Sequence, residues 1–161
     1  MKRKKRELSL AVKYPPSPSC SCDICVGYCR RPGLWSVAEA AAAIKAGYAN
    51  RMMLEIAPEL DFGVLAPAFK GCEGGIALNI FANRGCNFLK NNSCELYGIG
   101  FMPLECRFCH HDSIGLGQQC HSDLEKDWHT PEGQSLIKQW GKLVGLSERL
   151  KIISWPINID Y

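Results

Sequence analysis

Apolar and polar residues follow a helical pattern in residues 36–47, SVAEAAAAIKAG. The first residue, Ser36, can accept a hydrogen bond from the backbone of the first turn, and Glu39 stands at the third helical position of a capping box. The alanines favour a helical backbone, and Gly47 is a residue type at which helices commonly end. The sequence therefore predicts a helix between Ser36 and Gly47.

A second helical pattern occupies residues 130–145, TPEGQSLIKQWGKLVG. Thr130 can cap the helix, Pro131 is tolerated in its first turn, and Gly145 follows the last apolar residue. The apolar residues recur at helical spacing: Leu136, Ile137, Trp140, Leu143 and Val144. A helix is predicted in this segment, and a shorter one is predicted just before it in SDLEKDW, residues 122–128.

The middle of the chain has no long periodic segment. Residues 50–56 are predicted as a short helix that Pro58 ends, because proline disrupts a helix interior. From residue 61 to residue 117, Gly, Pro and Asn recur every few positions, which favours loops and short strands. The best strand candidate is IALNIFA, residues 76–82. The fold is therefore predicted to be α+β: a small, irregular, loop-rich single domain with flanking helices.

The first residues of the chain are basic and then rich in proline. We predict a basic tail and linker over residues 1–18 and a single domain over residues 19–161. The basic start is not followed by an apolar core of about 7–15 residues, as in a signal peptide. No apolar run approaches the roughly 18 residues of a membrane span. A cytoplasmic protein without membrane association is expected.

The charges of the chain are nearly balanced outside this tail. Lys and Arg number 19 and Asp and Glu 16, and five of the positive charges lie in residues 2–6. The body of the protein is therefore not expected to attract nucleic acid through its net charge. A nucleic-acid-binding zinc module would also place basic residues on its cysteine loops, where four arginines stand: Arg30, Arg31, Arg84 and Arg107.

Cysteine is the residue type that the composition singles out, with ten in 161 residues. A chain of this length can bury a core without disulfides. In a reducing compartment, clustered cysteines bind metal or perform redox chemistry more often than they form disulfides. Metal binding is therefore the favoured interpretation, with disulfides and a redox-active pair as the alternatives.

The cysteines form two groups along the sequence. The first is Cys20, Cys22, Cys25 and Cys29, within a cysteine-rich knuckle over residues 19–34. The second is Cys86, Cys94, Cys106, Cys109 and Cys120, and the segment CRFCHH within it sets histidines beside two thiols. A two-residue gap lets two thiolates converge on one ion. We expect ligands from both groups, so that metal joins the knuckle to the central loops.

The histidines near these groups, and Cys72 between them, can each be a metal ligand or a residue without a functional role. His110 and His111 are favoured as ligands because they follow Cys109, and we include His110 in the predicted site. For His121 and His129 a surface position is favoured over a ligand role, whereas Cys72 fits a ligand and a buried free thiol equally well. A thioredoxin-like pair is disfavoured, because the C-x2-C of the knuckle follows a proline linker and not a strand.

The segment CNFLKNNSCELYGIGFMPLECR, residues 86–107, together with the preceding cysteine cluster resembles the YkgJ-like proteins. These are described as zinc- or iron-chelating domains and are related to the cysteine-rich part of flagellin lysine-N-methylases. The matching positions are Cys86, Phe88, Leu89, Cys94, Tyr97, Pro103, Cys106 and Arg107. The resemblance implies metal chelation by Cys22, Cys25, Cys29, Cys86, Cys94 and Cys106. The chain departs from the family where Cys25 and Cys29 are separated and where GIGFMP replaces an arginine–proline turn.

Thiolate ligands suit zinc and iron–sulfur clusters alike. We predict a metal-chelating protein with a structural or accessory role that binds zinc, or alternatively iron or an iron–sulfur cluster. Two zinc ions, or one cluster with spare thiols, would account for the number of cysteines. The rival interpretation is an iron–sulfur or metal-dependent enzyme of methyl transfer or redox chemistry. The metal is the one partner that the sequence identifies.

Overall fold

The computed structural model describes residues 9–56 and 62–148. The α-helices in these ranges are α1 Leu10–Lys13, α2 Asp23–Cys29, α3 Val37–Lys45, α4 Gln118–Trp128 and α5 Pro131–Val144. The strands are β1 Met52–Ile56, β2 Gly63–Pro67, β3 Gly75–Ile76, β4 Leu89–Lys90 and β5 Ser93–Cys94. Short 3-10 helices lie at Ala49–Arg51, Asn79–Arg84, Leu104–Phe108 and His111–Ser113. This mixture of helices and small sheets confirms the predicted α+β class.

The ends of α3 and α5 follow the local signals in their sequences. Ser36 accepts from the N–H of Glu39 at 3.1 Å, and Glu39 accepts from the N–H of Ser36 at 2.9 Å. Thr130 caps α5 by accepting from the N–H of Gly133 at 3.1 Å, and Gly145 ends it with a left-handed backbone. Both predicted helices are confirmed. The shorter one before Thr130 is confirmed too, since α4 contains residues 122–128.

The predicted helix at residues 50–56 is wrong. Its first residues belong to a 3-10 turn and the rest form β1, which pairs antiparallel with β2 and parallel with β3. Met52, Met53 and Leu54 are all buried, so both faces of this strand are covered. A run of apolar residues with no alternation does not distinguish a buried strand from a helix. Pro58 lies outside the described residues.

The predicted strand at residues 76–82 is also wrong. Of this segment only Ile76 is in a strand, and residues 79–84 form a 3-10 helix. Leu78 and Ile80 have exposed fractions of 50% and 78%, so these apolar side chains do not pack against a sheet. The prediction of loops and short strands over the wider region from 61 to 117 is confirmed for its described residues.

Three tryptophans with no exposed surface form the centre of the core. Each ring N–H reaches a backbone carbonyl: Trp35 donates to Phe101 at 2.8 Å, Trp128 to Trp35 at 2.7 Å and Trp140 to Ala49 at 2.8 Å. Hydrogen bonding of this kind removes the penalty of burying the polar end of an indole ring. The first of these bonds reaches the loop between Cys94 and Cys106, and the other two join α4 and α5 to the residues on either side of α3.

Part of the segment before the knuckle packs against the body of the protein. Tyr14 is buried, and its hydroxyl donates to Asp123 in α4 at 2.5 Å. Arg107 donates to the carbonyls of Ala11 and Tyr14. These contacts place residues 17–20 beside the central loops. The helices of the described residues include none long and apolar enough to cross a membrane.

Candidate metal centre

Three cysteines of the knuckle surround one histidine from the far end of the central loops. The Nδ1 atom of His111 lies 3.3 Å from the sulfur of Cys25, 3.6 Å from that of Cys20 and 3.6 Å from that of Cys22. Cys20 and Cys22 precede α2, and Cys25 lies in its first turn. The helix therefore directs its amino-terminal cysteines toward the short helix that begins at His111.

The imidazole of His111 is oriented for metal binding. Its Nε2 atom lies 3.3 Å from a carboxylate oxygen of Asp112. A carboxylate at this nitrogen favours the tautomer that carries hydrogen on Nε2, which leaves the Nδ1 lone pair facing the three sulfurs. A histidine that binds metal usually has such a partner on its second nitrogen.

His110 lies next to this group but is engaged differently. The ring is buried and stacks on that of His111, with 4.2 Å between the ring centres. Its Nδ1 atom accepts a hydrogen bond from the N–H of Asp112 at 3.1 Å. The potential ligand atoms of Cys20, Cys25, His110 and His111 all lie within 4.8 Å of one another, so this group can hold a metal ion. Because Nδ1 of His110 is occupied, His111 is the better placed ligand.

The thiols of this group differ in their acidity. Hydrogen bonds from the backbone of Cys25 and from the thiols of Cys20 and Cys25 lower the pKa of Cys22 to about 6. Burial raises the pKa of Cys25 to about 11. The N–H of His111 donates to the sulfur of Cys25 at 3.2 Å, which favours a negative sulfur there. A bound cation would favour the thiolate form of all three cysteines.

A second group of cysteines lines a cavity of about 70 Å³. Its five thiols come from four segments of the chain: Cys29, Cys86, Cys94, and the pair Cys106 and Cys109. Cys20 and His110 line the same cavity, so it adjoins the first group. The remaining wall includes apolar side chains of Val26, Leu89 and Met102. Lys and Arg are missing from this lining among the described residues.

Burial makes the cavity thiols hard to ionise without a cation. It raises the pKa of Cys29 to about 12 and that of Cys86 to about 11, and it also raises the pKa of Cys94. A hydrogen bond between Cys106 and Cys109 lowers the pKa of Cys109 and raises that of Cys106. A negative charge on one of these sulfurs raises the pKa of its neighbours. A cation in the cavity would offset the repulsion between the thiolates.

Side-chain hydrogen bonds, an ion pair and one close backbone approach hold the segments that carry these thiols. Asn87, beside Cys86, is buried and donates to the carbonyls of Ala68 and Arg51 at 2.8 Å and 3.0 Å. Arg51 in turn forms an ion pair of 2.7 Å with Glu95, beside Cys94. On the other side, a Cβ atom at Gly33 would lie 2.7 Å from the backbone nitrogen of Cys106, so only glycine permits this close approach.

The structure thus brings together nine of the ten residues predicted as metal ligands, divided between two adjoining groups. Cys20, Cys22, Cys25 and His110 lie at the first group, and Cys29, Cys86, Cys94, Cys106 and Cys109 line the cavity. Cys120 is in neither: its side chain is buried in α4, within the hydrophobic core. The whole set of ten cysteines is free of disulfide bonds.

The residue that the predicted site lacked is His111. Its position beside Cys109 and His110 was a signal, but two adjacent histidines give no indication of which one faces the knuckle. The other open residues lie apart from both groups. Cys72 is buried in the core, His121 lies between Glu105 and Glu125, and the ring of His129 stacks on Phe62 at 4.8 Å.

Comparisons with known proteins do not add to this description. No protein-family model matches the chain, and neither a curated protein nor a solved structure does. The two thiol groups are therefore the basis on which a function is assigned.

Proposed function

We propose that the protein binds zinc through Cys20, Cys22, Cys25 and His111, and that the ion has a structural role. The observation that carries this proposal is the position of the His111 Nδ1 atom, 3.3–3.6 Å from all three sulfurs. With bonds of about 2.3 Å to sulfur and 2.0–2.1 Å to nitrogen, a tetrahedral zinc ion separates the two kinds of ligand atom by about 3.6 Å. The four side chains already have nearly this spacing.

The ligand set favours a structural ion over a catalytic one. Three cysteines and one histidine complete the tetrahedral shell of a structural zinc site, whereas catalytic zinc keeps one position for water or substrate. The carboxylate of Asp112 beside Nε2 of His111 supplies the usual second partner of the imidazole. We therefore prefer a scaffold to an enzyme at this group.

The role of the ion would be to join two parts of the chain that no disulfide connects. The cysteines belong to the knuckle and the histidine to the segment after Cys109. Because the site forms only when these parts meet, metal binding and local folding are coupled. The resemblance to YkgJ-like zinc- or iron-chelating domains supports chelation by thiolates, and it leaves the choice of metal to experiment.

The test is the zinc content of the purified protein and of matched variants. The full chain is purified anaerobically with zinc, and bound metal is measured by elemental analysis after removal of free ions. We expect the double variant Cys22→Ser, Cys25→Ser to lose the zinc ion of this site. Cys72→Ser is the matched control, because this buried thiol lies outside both groups, and it should keep the wild-type zinc content.

Cobalt provides an independent readout of the ligand set. Substitution of Co²⁺ for zinc should produce the visible absorption of a tetrahedral thiolate site, and His111→Ala should alter it. Equal zinc content in the wild type and the double variant would overturn the proposal. So would a wild-type protein that retains no zinc after removal of free ions.

A further inference from the structure

The cavity lined by Cys29, Cys86, Cys94, Cys106 and Cys109 is more than the proposed zinc site needs. Four other side chains complete that zinc site, so all five of these thiols remain. They come from the end of α2, from β5, from the loop at Cys86 and from the 3-10 segment that carries both Cys106 and Cys109, and they line one partly open cavity. Five buried or half-buried thiols around one cavity require a chemical explanation of their own.

The cavity is larger than one metal ion needs, and its thiols do not converge on a single point. Sulfurs that share a tetrahedral zinc ion lie about 3.8 Å apart. Among the described residues, the group whose ligand atoms lie within 4.8 Å of one another is that of Cys20 and His111, and the cavity thiols form no such group. The volume of about 70 Å³ also exceeds the roughly 10–15 Å³ that admits one water molecule.

We propose that this cavity is a second, separate site, which binds an iron–sulfur cluster through Cys29, Cys86, Cys94 and Cys109. Such clusters are held by four cysteine thiolates at their periphery, while inorganic sulfide occupies the interior between the irons. This explains why sulfurs from separate segments stand around a volume instead of converging on a point. The inference goes beyond the proposed zinc function, and it rests on that function only in leaving these five thiols for a second site.

The choice of four ligands among the five thiols follows from their contacts. Cys29 interacts electrostatically with the thiols of Cys109, Cys94 and Cys86, which together enclose the cavity. Cys106 also interacts electrostatically with Cys86 and Cys109, but it differs from the other four in donating a hydrogen bond to the thiol of Cys109. We assign it the role of a donor to the ligating sulfur of Cys109, a contact of the kind that tunes iron–sulfur clusters.

Assembly is a ligand exchange with no net electron transfer. Ferrous and ferric ions and sulfide are supplied in the oxidation states that the cluster contains. Each of the four thiols releases its proton to solvent, and its sulfur forms one bond to iron. The apolar wall of Val26, Leu89 and Met102 would limit the access of water to the finished cluster.

The experiment reconstitutes the zinc-loaded full chain anaerobically with ferrous and ferric salts and inorganic sulfide. We expect a brown protein that contains iron and acid-labile sulfide in equal amounts. Single Cys→Ser variants at positions 29, 86, 94 and 109 should each lose most of the visible absorption. Cys106→Ser keeps a hydroxyl donor and should retain the cluster, as should the control Cys72→Ser.

Zinc content in the same samples reports on folding and separates the two sites. Cys94→Ser should keep its zinc while it loses the cluster, and the double variant Cys22→Ser, Cys25→Ser should show the opposite. The proposal is overturned if the wild type binds no sulfide, or if Cys94→Ser retains the full absorption. It is equally overturned if the cavity takes up a second zinc ion that resists exchange by iron and sulfide.

Discussion

The Nδ1 atom of His111 lies 3.3 Å from the sulfur of Cys25, which is 86 residues earlier in the chain. The backbone N–H of the same histidine donates to the same sulfur at 3.2 Å. The two residues are therefore held together by both a side-chain and a main-chain contact. All ten cysteines, Cys25 among them, are free of disulfide bonds. Together with Cys20 and His110, this pair forms a group that could hold a metal ion.

Removal of zinc should loosen α2 much more than α5. Helix α2 depends on its cysteines for its attachment to His111, whereas α5 buries Leu136, Ile137 and Trp140 in the core. Hydrogen exchange after treatment with a chelator should accelerate in residues 20–29 and remain slow in α5. The melting temperature should fall by at least about 5 °C, since each kcal/mol lost lowers it by about 2–4 °C in a chain of this size. Equal acceleration in both helices would show that the metal does not act locally.

Asp112→Ala should weaken zinc binding without abolishing it. This carboxylate contacts Nε2 of His111 at 3.3 Å and so fixes the tautomer that presents Nδ1 to the sulfurs. Loss of such a partner typically costs about 10–100-fold in metal affinity. We expect a loss of affinity near the smaller figure, about 10-fold, because the Asp112 side chain is exposed and screened by solvent. Competition with a zinc-binding dye measures the change, and Glu73→Ala, at an exposed carboxylate outside both thiol groups, is the control.

His121 should give the protein a pH-dependent stability above neutrality. Its Nδ1 atom lies 2.5 Å from Glu105 and its Nε2 atom 2.9 Å from Glu125. The hydrogen bond to Glu105, with the two negative charges, raises the pKa of His121 from 6.5 to about 9. A raised pKa stabilises the folded protein fully below about pH 6.5, and this contribution is lost as the pH rises through about 9.

Proton NMR of the imidazole tests this expectation directly. The ring of His121 should titrate with a midpoint near 9, and Glu105→Gln should lower that midpoint. His121→Gln should flatten the dependence of the denaturation midpoint on pH between about 6.5 and 9 relative to the wild type. A wild-type midpoint at the ordinary histidine value would show that the two carboxylates do not hold the proton.

Gly133→Ala should destabilise the protein, although alanine is the better helix former. A Cβ atom at this position in the first turn of α5 would clash with the carbonyl oxygen of Trp128. Overpacking of this kind costs about 1–3 kcal/mol. Gly27→Ala is the matched control in α2, because a Cβ there meets no atom within 4 Å and should add up to about 1 kcal/mol of helix stability. Urea denaturation of both variants compares the two effects, and a stabilised Gly133→Ala would contradict the packing described.

The helices with local sequence signals could be predicted without knowledge of the tertiary structure. The capping box of Ser36 and Glu39 and the Thr130 cap act within three residues of the helix start, so α3 and α5 could be predicted from them. The cysteine spacing likewise indicated thiolate chemistry, because two thiols two residues apart can converge on one ion. The wider resemblance to a chelating family stays a prediction.

The strand β1 and the division of the thiols into two groups depend on contacts between distant parts of the chain. Met52–Ile56 is a strand because β2 and β3 supply its hydrogen bonds and the core covers both of its faces. The residues that make these contacts lie outside the strand itself, so a local pattern does not reveal them. In the same way, His111 faces the knuckle and Cys29 turns to the cavity because α2 carries its two ends toward different neighbours. Residue type and spacing limit which side chains can bind metal, whereas the packing of distant segments decides which of them meet.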